Sequence, residues 1–102
     1  MTLLHMAQSI MQKIEDGKEV RKCYLTGRTY DLDKHHVFNN AFRDKSEKWG
    51  LWVYLNHDVH MKLHQTPQGQ KVARWLKQQG QEAFERKYGH DKFIEEFRKN
   101  YL

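Results

Sequence analysis

The sequence predicts an α+β fold, with helices at both ends of the chain around a small amount of sheet. Three observations predict it. Apolar residues recur at helical spacing in 3–15 and again after residue 66. Strand-favouring residues gather in short runs between 20 and 55. The length of 102 residues, with 38% hydrophobic and 13% aromatic content, fits one globular domain rather than a disordered chain.

Each element has its own signal. Leu3, Leu4, Ile10, Met11 and Ile14 predict a helix over 3–15, with Gly17 as its stop. Val20, Tyr24, Leu25, Thr29 and Tyr30 favour strand, with a tight turn at Thr26-Gly27-Arg28. The strand-like character continues through His35 and His36. Asn39 to Gly50 is polar and charged and reads as a loop. Leu51–Leu55 is the next strand-like piece, and 57–64 a short helix. Thr66 as N-cap and Pro67 at the first helical position open a long helix. Its Val72, Trp75, Leu76, Ala83, Phe84 and Tyr88 fall largely on one face, with a bend expected at Gly80. Gly89 ends it, and Asp91 caps a last helix carrying Phe93, Ile94, Phe97 and Tyr101. The single domain thus divides into an N-terminal helix (1–17), a central core (20–65) and C-terminal helices (66–102).

Composition narrows the function. Cys23 is the sole cysteine, so no disulfide forms within the chain, which fits a reducing compartment. No apolar run approaches 18 residues, so no membrane partner is expected. The start MTLLHMAQSIMQKIEDGK has no basic lead and is not read as a signal peptide. A net charge of +5 fits a nucleic-acid partner, but fits an ordinary solvated surface equally.

The histidines are more informative. Five of seven lie between 35 and 64, where an even spread would put about two. At roughly 100° per residue, His57, His60 and His64 fall within about 60° of one another on a helix. Neutral imidazole binds transition metals and also serves as a base near neutral pH. His35 and His36, adjacent on a strand, point to opposite sides, which suits two different jobs. Three readings follow: ordinary satisfied histidines, a structural zinc site that replaces missing disulfides, and a catalytic centre. His5 and His90, outside the cluster, read as ordinary surface or satisfied histidines.

The pattern resembles the HNH endonuclease family, with its ββα-metal core. The matching residues are Leu32-Asp33-Lys34-His35-His36-Val37-Phe38, then Leu51–Leu55, then His57-Asp58-Val59-His60 with His64 after it. The resemblance is closest to small bacteriophage-encoded HNH proteins. It includes Lys45-Ser46-Glu47-Lys48-Trp49-Gly50-Leu51 and the ending Lys99-Asn100-Tyr101-Leu102, and it covers 22–102. It implies one divalent metal ion (Mg, Mn, Ni or Zn) on His35 and His60, His36 as general base, and His64 as a further ligand or a phosphate contact. It also implies hydrolysis of DNA to a 5′-phosphate with low sequence specificity, in the cytoplasm of a bacterial host cell.

Three departures stand out. Many HNH proteins carry two Cys-x-x-Cys pairs that bind a structural zinc. The corresponding places here hold Cys23 and Thr26, then Asn56 and Val59, so that site is lost and packing, with Trp49, Trp52 and Trp75, must hold the fold. The family's middle asparagine would fall near Gly50-Leu51, leaving Asn39, Asn40 or Asn56 as substitutes. His57 is an additional histidine. The alternative function is therefore a catalytically degenerate phage accessory protein that binds nucleic acid or a host protein. A structural zinc domain without nuclease activity is third.

Basic residues complete the sequence reading. Arg43, Lys45 and Lys48 lie in the central loop and Lys62 on the histidine helix, and Arg43 is nearest the paired histidines. Lys71, Arg74 and Lys77 follow at helical spacing. Such residues bind phosphates without reading sequence. The chain is expected to be a monomer or a homodimer, because the apolar face of a helix over 3–15 must be covered by something.

Overall fold

The computed structural model describes residues 7–102. Turn chemistry sets the first element. Asp16 and Gly17 both take positive φ, 51° and 76°, the backbone that a tight two-residue hairpin demands. They join β1 (Ile14–Glu15) to antiparallel β2 (Lys18–Glu19). Gly17 is thus a hairpin residue and not a helix stop.

The helix expected over 3–15 is absent from 7–15, and residues 3–6 lie outside the described part. Side chains in this segment bond elsewhere. Ser9 Oγ donates to the Trp52 carbonyl at 2.6 Å and accepts from the backbone N–H groups of Met11 and Gln12. Gln12 Oε1 accepts from Tyr54 N–H at 3.1 Å. These groups satisfy the outer edge of a strand, a stronger claim on Ser9 and Gln12 than helix formation. Ile10 and Met11 pack against the chain's own core, so residues 7–15 offer no helical face to a second copy.

Residues 20–31 are turns and irregular chain rather than strand. The turn near Gly27 is present, with Gly27 N–H donating to the Cys23 carbonyl at 2.8 Å. β3 (Leu32–His36) then pairs antiparallel with β4 (Trp52–Asn56), Leu32 opposite Asn56 and His36 opposite Trp52. The connection between them is not a plain loop. It holds a 3-10 turn at Asn40–Phe42 and α1 (Arg43–Lys48), pinned by buried Ser46, whose Oγ accepts from Phe38 N–H at 3.2 Å.

Three further helices follow: α2 (His57–Gln65), α3 (Pro67–Tyr88) and α4 (His90–Phe97). Thr66 caps α3 as its sequence predicts, accepting from Gly69 N–H at 2.9 Å. α3 runs through Gly80 without a break. Leu76 and Phe84 of α3 meet Phe93 and Phe97 of α4, together with Phe38 and Leu51, in one core. Phe93 and Phe97 stack at 4.9 Å, and Phe38 lies 4.7 Å from Phe97. Of the three tryptophans, Trp52 is buried, Trp49 packs on Phe84, and Trp75 is largely exposed beside Tyr24. The result is a mixed α+β fold of four helices and two small antiparallel sheets among the described residues. No described helix is long and apolar enough to cross a membrane.

Gly69 marks the closest approach of α2 to α3. A Cβ there would collide with the Lys62 and Leu63 carbonyls. Gly69→Ala should therefore destabilise the fold by about 2 kcal/mol or more. Thermal unfolding should register a drop on the order of 10 °C; an unchanged midpoint would contradict the close approach.

Candidate metal centre

Strand alternation divides the histidine pair. Asp33 and His35 face α2, whereas Lys34 and His36 reach Glu47 of α1. The turn from β4 into α2 is made by Asn56. Its buried side chain accepts from Asp58 N–H at 3.1 Å and donates to the Tyr30 carbonyl at 3.0 Å. Asp31 adds a backbone bond from His57 N–H at 2.7 Å. This corner sends α2 back across β3.

His60 and His64 consequently meet His35. His35 is 5% exposed. Its Nδ1 lies 3.3 Å from His60 Nε2, and the His64 ring is 5.8 Å from His35 and 5.0 Å from His60. One nitrogen from each ring falls within 4.8 Å of the others. Two nitrogens on a tetrahedral ion at ~2.0–2.1 Å would also stand roughly 3.3 Å apart.

Asp33 organises the group from behind. Its Oδ2 accepts from His60 Nδ1 at 2.9 Å and from His57 Nδ1 at 2.8 Å. With Nδ1–H given to the carboxylate, His60 presents a lone pair on Nε2 toward His35. A carboxylate behind a histidine in this way fixes the tautomer of a metal ligand. The hydrogen bonds from His60 and then His57 hold the Asp33 carboxyl below the usual range. The same bond raises His57. Burial, reinforced by His60, His64, His36 and Lys77, lowers His35 to about 3. A neutral buried imidazole beside two others is a donor set that could bind a metal ion.

The predicted residues separate in space. His35, His60 and His64 come together. His36 does not join them, and its Nε2 is 2.7 Å from Glu47 Oε1. His57 shares the helix but sits exposed against Asp33. Arg43 is exposed at the start of α1, and Lys48 lies over the Trp49 ring. Lys45 donates to the Glu96 carbonyl at 2.9 Å, a structural tie to α4. Lys62 borders an apolar cleft with Leu25 and Val59. None of these four cations lines the cleft that holds His35 and His64.

Two participants escaped the sequence reading. Asp33 was legible, because it stands two residues before His35 on the same strand face. Glu47 had no local signal, since only the folding of 39–50 brings it to His36. Burial pushes the Cys23 thiol up, but hydrogen bonds to Thr26 and the Asn56 backbone outweigh this and hold it below its ordinary value. Cys23 is buried in the core, with Val59 packed against that core. His90 is exposed and bonded to Glu85, and His5 lies outside the described residues.

No protein-family model, curated protein or solved structure matches the chain. What the fold and site define is a small α+β protein with a three-imidazole cluster able to bind a metal.

The His35 environment makes stability depend on pH. The folded state keeps this imidazole unprotonated down to about pH 3, whereas the ordinary value is 6.5. Between those values the unfolded chain holds the extra proton, so stability is lost as pH falls. Urea unfolding from pH 7 to 4 should show a loss of roughly 1 kcal/mol per pH unit below 6.5 from this group. His35→Asn should flatten that slope; equal slopes would mean that His35 titrates normally.

Proposed function

We propose that this protein is a metal-dependent nuclease of the HNH type, hydrolysing phosphodiester bonds in DNA. The observation that carries the proposal is the convergence of His35, His60 and His64 from one strand and one helix, with Asp33 behind His60. The order β3, β4, α2, with a histidine pair on the first strand, supports the same reading. So does the basic charge of +5. The free thiol of Cys23 fits the reducing cytoplasm of a bacterial host cell.

In this reading His35, His60 and His64 hold one divalent ion. Three imidazole donors favour nickel or zinc over magnesium or manganese. When bound, such an ion would polarise the scissile phosphate and stabilise the leaving oxygen. Asp33 fixes the His60 tautomer and holds its ring. His36 takes a proton from the attacking water. Its Nε2–H is given to Glu47, which leaves Nδ1 as the basic nitrogen. Lys34 shares the Glu47 carboxylate at 2.8 Å and steadies it.

The rival reading is a degenerate scaffold that binds nucleic acid or a host protein without cutting. One observation favours it. Asn56, a candidate for the missing middle asparagine, is committed to the Asp58 N–H and the Tyr30 carbonyl. A plasmid-nicking assay with Mg, Mn, Ni or Zn decides between the two. The parent should nick, and His36→Ala should slow it by about 10²–10⁴-fold. A parent that cuts no nucleic acid with any metal overturns the nuclease reading. Asp33→Asn should weaken metal binding by roughly 10–100-fold in calorimetric titration. Undiminished affinity there would remove Asp33 from the site.

A further inference from the structure

We propose that Arg74, Lys77 and Lys99 form a phosphate-binding subsite beside the histidine cluster, so that a nucleic-acid backbone crosses α3 and the C-terminal tail. A cleft of about 360 Å³ is lined by His35 and His64 and also by Arg74, Lys77, Lys99 and Tyr101. The cations and the imidazoles thus share one space. The inference rests on the nuclease reading for the nature of the ligand.

The three cations share one wall of the cleft. Arg74 and Lys77 stand three apart on α3, hence on one face. Among the described residues none of the three forms an ion pair, whereas Lys34 and Lys92 do. Burial, then Lys99 and Arg74, lowers the Lys77 ammonium below its ordinary value. Like charges crowded at one wall are unfavourable unless an anion arrives.

The tail is anchored where this requires it. Gln81 is fully buried in α3. Its Oε1 accepts from Tyr101 N–H at 2.8 Å, and its Nε2 donates to Asn100 Oδ1 at 2.7 Å. Gln78 Nε2 adds a bond to the Tyr101 carbonyl at 3.0 Å. The Tyr101 ring packs 5.4 Å from Phe38. Lys99 is thereby fixed over the cleft although the tail has no regular structure. Three cations in one cleft suit a polyanion of repeating charge better than a single carboxylate.

The test is fluorescence anisotropy of a labelled DNA duplex of about 20 base pairs, in EDTA and across a salt series. Arg74→Gln, Lys77→Gln and Lys99→Gln should each weaken binding several-fold and reduce the salt slope by about 1. Lys77→Arg should retain parent affinity. Lys13→Gln, which removes the same charge from the segment before β1, should leave the slope unchanged. Lys99 is exposed outside any helix, so its variant keeps the core intact whatever happens to the helix variants. Unchanged slopes in all three variants, an equal effect from Lys13→Gln, or no duplex binding by the parent would each overturn the subsite. A parent that binds through these residues but never nicks plasmid sinks the nuclease reading and leaves the subsite standing. Nicking with unchanged slopes does the reverse.

Discussion

The histidine cluster depends on the corner at Asn56. β4 ends there and α2 begins at the next residue, so the direction of the helix is fixed within one peptide unit. A buried asparagine makes this possible. It satisfies a free N–H of the first helical turn and a carbonyl of the preceding loop at the same time. Asp31 closes the corner by accepting from His57 N–H. An apolar residue in its place would remove both bonds, each contributing about 0.5–1.5 kcal/mol. The register of β3 against β4 then brings His35 under the first two turns of α2, at His60 and His64.

Burial gives the cluster its chemical character. An imidazole that is 5% exposed and faces two others cannot easily carry a proton. The carboxylate of Asp33 stands behind His60 rather than between the rings, so it sets the tautomer without neutralising the centre. His36, one residue from His35, lives under a different regime because strand alternation turns it to Glu47 and Lys34. Adjacent histidines therefore acquire separate environments from a two-residue period. The core of Phe38, Phe84, Phe93 and Phe97 supports the far side of this arrangement through α3 and α4.

The cations divide in the same way. Lys34 and Lys45 are tied to Glu47 and to the Glu96 carbonyl, and serve the fold. Arg74, Lys77 and Lys99 face the cleft without an acidic partner among the described residues. Sequence proximity favoured Arg43, but nearness along the chain does not measure nearness in space. Lys99 is 35 residues beyond His64 by number and still lines the same cleft, because Gln81 pins the tail to α3.

The sequence by itself determined the elements with strong local rules. Thr66-Pro67 opens α3, Gly89 ends it, and the helical phase of His60 and His64 places them on one face. The pair His35-His36 was legible as a divided pair, because alternation is a property of any strand. Asp33 was within reach of the same rule. Local rules misled at 7–15, where apolar spacing suggested a helix. Ser9 and Gln12 are bonded instead to the outer edge of β4. They also missed α1, and with it Glu47. Only tertiary structure decided these, since an exposed strand edge, a buried corner and an anchored tail are satisfied by residues far away in sequence. Their free energy comes from pairing polar groups that burial would otherwise leave alone.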